Sequence, residues 1–145
     1  MKIAIGSDHA GFELKSAIIE HLKTKGKENE IEVVDLGTDT AKNSVDYPDY
    51  AKKVAEKVLS DNCSGILICG TGIGMCIAAN RFKGIRAANV NDLFSAKMAK
   101  RHNNANIICL GSRIVAVGLA LDIVDTWMSE EFEGGRHQAR LAKIS

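Results

Sequence analysis

The sequence predicts an α/β fold: one parallel sheet of five strands with helices packed on both faces. Three observations carry that prediction. Short apolar runs alternate five times with longer segments of helical periodicity, the pattern of successive β–α units. The run 65–69, Gly-Ile-Leu-Ile-Cys, is apolar without alternation, as in a strand buried on both faces. A glycine-rich turn over 70–74 joins that run directly to the next helical segment.

The elements follow in order. Residues 2–6 form a first strand that ends at Gly6. Residues 11–25 form a helix with Phe12, Leu14, Ala17, Ile18 and Leu22 near helical spacing. Gly26 is read as its stop and residues 27–30 as a charged connector. Residues 31–36 form strand two and 37–46 a polar loop. The single proline, Pro48, sits where a first helical turn begins, so 50–59 is a helix with Val54 and Val58 on one face. Strand three is 65–69, and 75–81 a short helix. Residues 84–90 form strand four, and 92–101 a helix whose N-cap is Asn91 or Asp92. Strand five is 106–110 and the next helix 115–128. The tail, 133–145, reads as a loop and a short helix.

The chain has 145 residues, so one domain over 1–145 is expected. With 26% charged residues and a net charge of +1, composition gives no reason to expect nucleic acid or an anionic membrane as partner. No apolar run approaches the roughly 20 residues of a membrane span. The N-terminal apolar stretch breaks after Ile5, short of the roughly 7–15 residues of a secretory signal. The cytoplasm is therefore the expected compartment, and the four cysteines are expected to be thiols. Their spacing includes no CxxC pair, so no metal site is expected from it.

In parallel sheets, ligands bind at the carboxyl ends of the strands. After strand one come Asp8 and His9; Asp8 is either a helix cap or a ligand contact. Gly6 and Gly11 have P-loop separation, but Phe12-Glu13 stands where Lys-Ser/Thr is required. After strand three comes Cys69-Gly70-Thr71-Gly72-Ile73-Gly74. Its glycines let backbone amides approach a phosphate or a developing oxyanion. It is not the dinucleotide fingerprint, because Met75 occupies the place of the third glycine. Cys69 is either a buried hydrophobe ending its strand or a reactive thiol beside a helix start. Cys63, Cys76 and Cys109 read as packing residues. His102, followed by Asn103, closes the fourth helix, where it is either a proton shuttle or a helix-dipole partner. His21, on a solvated helix face, and His137 have weaker claims. Arg113 directly follows strand five, and Arg136 and Arg140 lie one turn apart in the tail; arginine suits phosphate. This inventory fits proton transfer on a small phosphorylated molecule, without itself choosing the reaction.

The stretches GSDHAGFELK (6–15), VDYPDYA (45–51), ILICGTGIGMCIAANRFKGIRAA (66–88), KRHNNANIICLGSR (100–113) and EGGRHQAR (133–140) resemble the ribose/galactose-6-phosphate isomerase B family. The resemblance spans nearly the whole chain in order, and GSDHAG, CGTGIG and GGRH together are specific. It implies a three-layer Rossmann-like sandwich and interconversion of ribose 5-phosphate and ribulose 5-phosphate through an enediolate, in the non-oxidative pentose phosphate pathway. By the same resemblance Cys69 is the base. The backbone of Gly70, Thr71, Gly72, Ile73 and Gly74, with the Thr71 hydroxyl, cradles the enediolate. His102 opens the furanose ring with Asn103 beside it, Asp8 and His9 bind substrate, and Arg113, Arg136 and Arg140 hold phosphate. No metal or organic cofactor is implied, and a homodimer or homotetramer with shared sites is. The alternatives are an allose- or galactose-6-phosphate isomerase of the same family and a phosphosugar-binding module without turnover. Residues 27–30 lengthen a connector relative to the family and the chain stops at Ser145; both bear on subunit packing. A phosphorelay receiver is disfavoured because Cys69 stands where its aspartate would.

Overall fold

Each apolar run becomes a strand that presents alternate side chains to opposite faces, and this alternation builds two cores. The computed structural model describes residues 1–144, and for 26–29 the backbone alone. Its elements are β1 (Lys2–Ser7), α1 (Phe12–Asn29), β2 (Glu32–Asp35), α2 (Tyr47–Asp61), β3 (Ser64–Cys69) and α3 (Ile73–Ala79). They continue with β4 (Ala87–Asn89), α4 (Leu93–Arg101), β5 (Ile107–Gly111), α5 (Val117–Ser129) and α6 (Arg136–Ala142). The five strands pair in parallel in the order β2-β1-β3-β5-β4.

On one face Ile3, Ile5, Ile66, Ile68, Ile108 and Leu110 pack against Leu14, Ile18 and Leu22 of α1, Ala96 and Ala99 of α4, and Ile123 and Trp127 of α5. On the other, Ala4, Leu67, Cys69, Ile107 and Cys109 meet Ala51, Val54, Ala55 and Val58 of α2 and Met75 and Ala79 of α3. The period of two along each strand thus turns Cys69 toward α2 and α3. Fully burying each Ile or Leu contributes about 1.5–3 kcal/mol, so the two cores carry the fold. No helix among the described residues is long and apolar enough to cross a membrane.

The order of the sheet reverses between β1 and β3. From β1 the chain moves outward to β2, then returns to the other side of β1 as β3. The backbones diverge there and leave a crevice at the carboxyl ends. Asp8, just past β1, bridges it by donating its amide to Ile68 O at 3.2 Å. The crevice is narrow: a Cβ on Gly11 would lie 2.7 Å from Ile68 O, so only glycine lets α1 start there.

Three local expectations differ. α1 runs through Gly26 to Asn29, and 27–29 is helix, not connector; one interior glycine costs only about 1 kcal/mol, which the buried stripe of α1 outweighs. β4 is three residues rather than 84–90. As an edge strand it has one partner, and residues 84–86 are taken up by a turn at Gly84 (φ 94°) and by Arg86 N donating to the Asn106 side chain at 2.8 Å. His21 is not on a free surface; its Nε2 lies 2.8 Å from Asp125 Oδ1 of α5. The cap of α4 is Asp92, whose carboxylate accepts from Ser95 N at 2.6 Å. Pro48 lies in the first turn of α2 as expected. In the tail, Ser145 lies outside the described residues.

Candidate active site

The residues singled out in the sequence divide into two groups at opposite ends of the sheet. At the carboxyl ends of the strands, β3 delivers Cys69, 6% exposed, to the mouth of the 70–74 turn. Its Sγ accepts a hydrogen bond from Gly72 N at 3.1 Å. The turn closes because Gly72 adopts φ 81°, where a Cβ would also strike Asn89 Oδ1 at 2.6 Å. The Thr71 hydroxyl accepts from Ile73 N at 3.2 Å, while the Gly70 and Thr71 amides have no hydrogen-bond partner among the described residues. The turn therefore brings a sulfur and unpartnered N–H donors together, as a site that develops negative charge requires.

The neighbouring strand ends surround this cradle. The Asp8 carboxylate accepts from Gly11 N at 3.1 Å, so it does cap the turn into α1 while staying 8% exposed beside β3. His9 Nδ1 accepts from Val45 N at 3.1 Å, which places the ring proton of neutral His9 on Nε2. Val45 belongs to the 37–46 loop, whose base is tied down by Lys15, an almost wholly buried lysine paired with Asp35 at 2.6 Å. Arg113 donates its amide to Gly70 O at 3.0 Å, and its guanidinium lies against Gly70, where a Cβ would sit 3.5 Å from Nη1.

Sequence reading missed three residues here. Ser7 Oγ, Asn89 Oδ1 and Ser112 Oγ are buried and unpartnered among the described residues, and they follow or end β1, β4 and β5 at this same edge. Buried polar groups are ordinarily satisfied, so orphans at the carboxyl ends of three strands of one sheet, on either side of β3 and its Cys69, mark a place built for a polar ligand. Their signal in the sequence was position alone, one small polar residue at each strand end.

At the other end of the sheet stands the second group. α4 starts past the carboxyl end of β4 and runs back antiparallel, so His102, its C-cap, emerges where β5 begins. The length of β5, about 13 Å at 3.3 Å per residue, separates that corner from Cys69. Within one chain His102 and Asn103 thus lie at the opposite end of the sheet from Cys69. His102 stacks on His137, with ring centroids 4.2 Å apart. Glu133 approaches both, 3.7 Å from His102 Nε2 and 3.6 Å from His137 Nε2, and its amide donates to Arg101 O at 3.0 Å. Burial lowers the His137 pKa, with His102, Arg136 and Arg140 adding to the effect and Glu133 opposing it. Arg136 and Arg140 of α6 accordingly belong to this corner and not to that of Arg113. His137 Nε2 is a fourth buried orphan, and Glu133 was not anticipated from the sequence.

Among the remaining thiols Cys109 is wholly buried, as expected of a packing residue. Cys76 is half-buried, and the hydrogen bond from Cys109 brings its pKa down to about 7 against the opposing effect of burial. The same bond, with burial, pushes Cys109 up.

A profile of the ribose/galactose isomerase family matches residues 3–144. The chain is 47% identical to ribose-5-phosphate isomerase B of Escherichia coli, over 99% of this chain and 94% of that one. It superposes on ribose-5-phosphate isomerase B of Clostridium thermocellum with a TM-score of 0.94 and 54% identity, over 99% and 95% of the two chains. The Mycoplasma genitalium enzyme of the same name, a structure with bound ribulose-5-phosphate, gives 0.93 and 49%, over 99% and 93%.

Proposed function

The chain belongs to the ribose/galactose isomerase family and is an aldose–ketose isomerase; from that premise we propose how its residues interconvert D-ribose 5-phosphate and D-ribulose 5-phosphate. Cys69, as thiolate, takes the proton from the carbon beside the carbonyl and returns it to the neighbouring carbon. The oxygens of the intervening enediolate accept hydrogen bonds from the 70–74 amides and the Thr71 hydroxyl, which stabilise charge that develops only in the reaction. Asp8 and His9 hold sugar hydroxyls, with His9 offering Nε2–H. Arg113 and the Arg136/Arg140 pair hold phosphate, and His102, beside Asn103, opens the furanose ring. The pathway is the non-oxidative pentose phosphate route, in the cytoplasm.

One chain carries the two halves of this machinery at opposite ends, so the working unit is proposed to be a homodimer or homotetramer. The His102–Arg136–Arg140 corner of one protomer faces the Cys69 cradle of its partner. The observation that carries the reading is the cradle: a buried thiol on an amide-lined turn beside the switch point of the sheet, at the same edge as the orphaned Ser7, Asn89 and Ser112. The test is turnover with EDTA present of ribose 5-phosphate, beside allose 6-phosphate and galactose 6-phosphate. Preferred conversion of ribose 5-phosphate is expected. Turnover confined to a six-carbon phosphate would retain the mechanism and replace the substrate.

A further inference from the structure

The corner that holds His102 carries more than proton-transfer chemistry. His102, Glu133 and His137 each offer one donor atom, and the three atoms lie within 4.8 Å of one another. Two of the separations are 3.6 and 3.7 Å, both to Glu133 Oε1. Zinc binds imidazole nitrogen and carboxylate oxygen at about 2.0–2.2 Å, so tetrahedral ligands stand about 3.3 Å apart. The His102 and His137 rings are stacked with their planes 17° apart, so joint ligation also requires one ring to turn out of the stack and bring its nitrogen lone pair round to the metal. A second, independent feature points the same way. His137 is 5% exposed, yet its Nε2 has no hydrogen-bond partner among the described residues and faces the carboxylate at a distance too long to be a bond.

We propose that His102, Glu133 and His137 form a binding site for a divalent transition metal of the zinc class, with two histidines, one carboxylate and the fourth position open. The backbone holds the set in place: Glu133 N is bonded to Arg101 O, and His137 N to Gly134 O at 3.1 Å. Arg101 is already engaged by Glu130 at 2.6 Å and reaches Glu133 at 3.8 Å. With Arg136 and Arg140 close to His137, these cations oppose a metal and set its affinity below that of a closed structural zinc site. Occupancy therefore follows the free metal concentration. Its consequence rests on the function proposed above: a metal on His102 removes the ring-opening group, so the metal is an inhibitor competing with sugar phosphate, not a cofactor.

The test is a cobalt(II) titration of metal-stripped protein, followed by zinc competition. Expected is one saturable site per chain, with the visible absorption of tetrahedral cobalt, no sulfur-to-cobalt charge-transfer band, and displacement by zinc. Glu133→Gln should weaken binding at least about tenfold with unchanged far-UV circular dichroism, and His102→Ala supplies the same test if that variant does not fold. Cys69→Ala should bind as the parent does. Charge-transfer bands, or binding lost in Cys69→Ala, would assign the metal to thiols and overturn the proposal, as would full affinity in a folded Glu133→Gln. Zinc inhibition of turnover, relieved by EDTA, is read separately; a protein that binds cobalt as described but lacks isomerase activity would sink the function and leave the site standing.

Discussion

At the level of single residues, the proposed mechanism gives the thiol and the imidazole separable tasks. Cys69 Sγ is buried among donors, and without it no other base in the described structure lies on the 70–74 turn. Cys69→Ala is expected to lower kcat by about 10²–10⁴-fold, the range of a lost general base, while sugar-phosphate affinity measured by calorimetry stays within a few-fold. Activity near the parent's would remove Cys69 from the mechanism. In the proposed mechanism His102 acts before isomerisation, on the ring. His102→Ala should slow ribose 5-phosphate by about 10²-fold and spare an aldose phosphate that cannot close a furanose ring. Equal losses on both substrates would count against ring opening. Cys69 was legible because it ends a strand and enters a glycine turn. Glu133 was not, because its importance comes from packing against residues 31 positions upstream and four downstream, which no local pattern announces.

The elements hold these residues by capping and by ties between layers. Asp92 is the cap of α4, the helix that ends at His102. Asp92→Ala should destabilise the protein through the lost cap, seen as a lower urea midpoint at unchanged slope. A midpoint equal to the parent's would mean that packing of Ala96 and Ala99 alone sets the helix. Lys2 of β1 meets Asp61, the last residue of α2, at 2.9 Å. Its hydrogen bond, with those from Ser60 and Lys57, lowers the Asp61 pKa from 3.8 to about 2. A depressed carboxylate pKa adds stability above the unfolded value and loses it as pH falls through the folded one. The advantage of parent over Asp61→Asn should therefore be present above pH 3.8 and vanish as pH falls through about 2. An advantage independent of pH would refute the charge argument. The helix boundaries show where pattern reading ends: Gly26 was a plausible stop, but α1 continues because a buried stripe outweighs one glycine.

For the molecule as a whole, the two separated corners predict complementation. In a dimer with shared sites, mixing Cys69→Ala and His102→Ala chains gives heterodimers with one intact site. A refolded equimolar mixture should recover about a quarter of parental activity, since half the dimers are mixed and each has one of two sites whole. No recovery, with mixed dimers verified by native mass spectrometry, would mean that both residues serve one chain. Sequence alone determined the five β–α units, the parallel sheet and the candidate residues, because strand periodicity, glycine placement and strand-end position are local properties that survive in a linear string. Only the tertiary structure decided the strand order, the crevice between β1 and β3, the orphaned Ser7, Asn89 and Ser112, and the meeting of His102 with Glu133 and His137. Those depend on which helix returns the chain to which end of the sheet. An antiparallel helix carries its last residue a full strand length away from its first, so neighbours in a list of site residues became opposite poles of the protein.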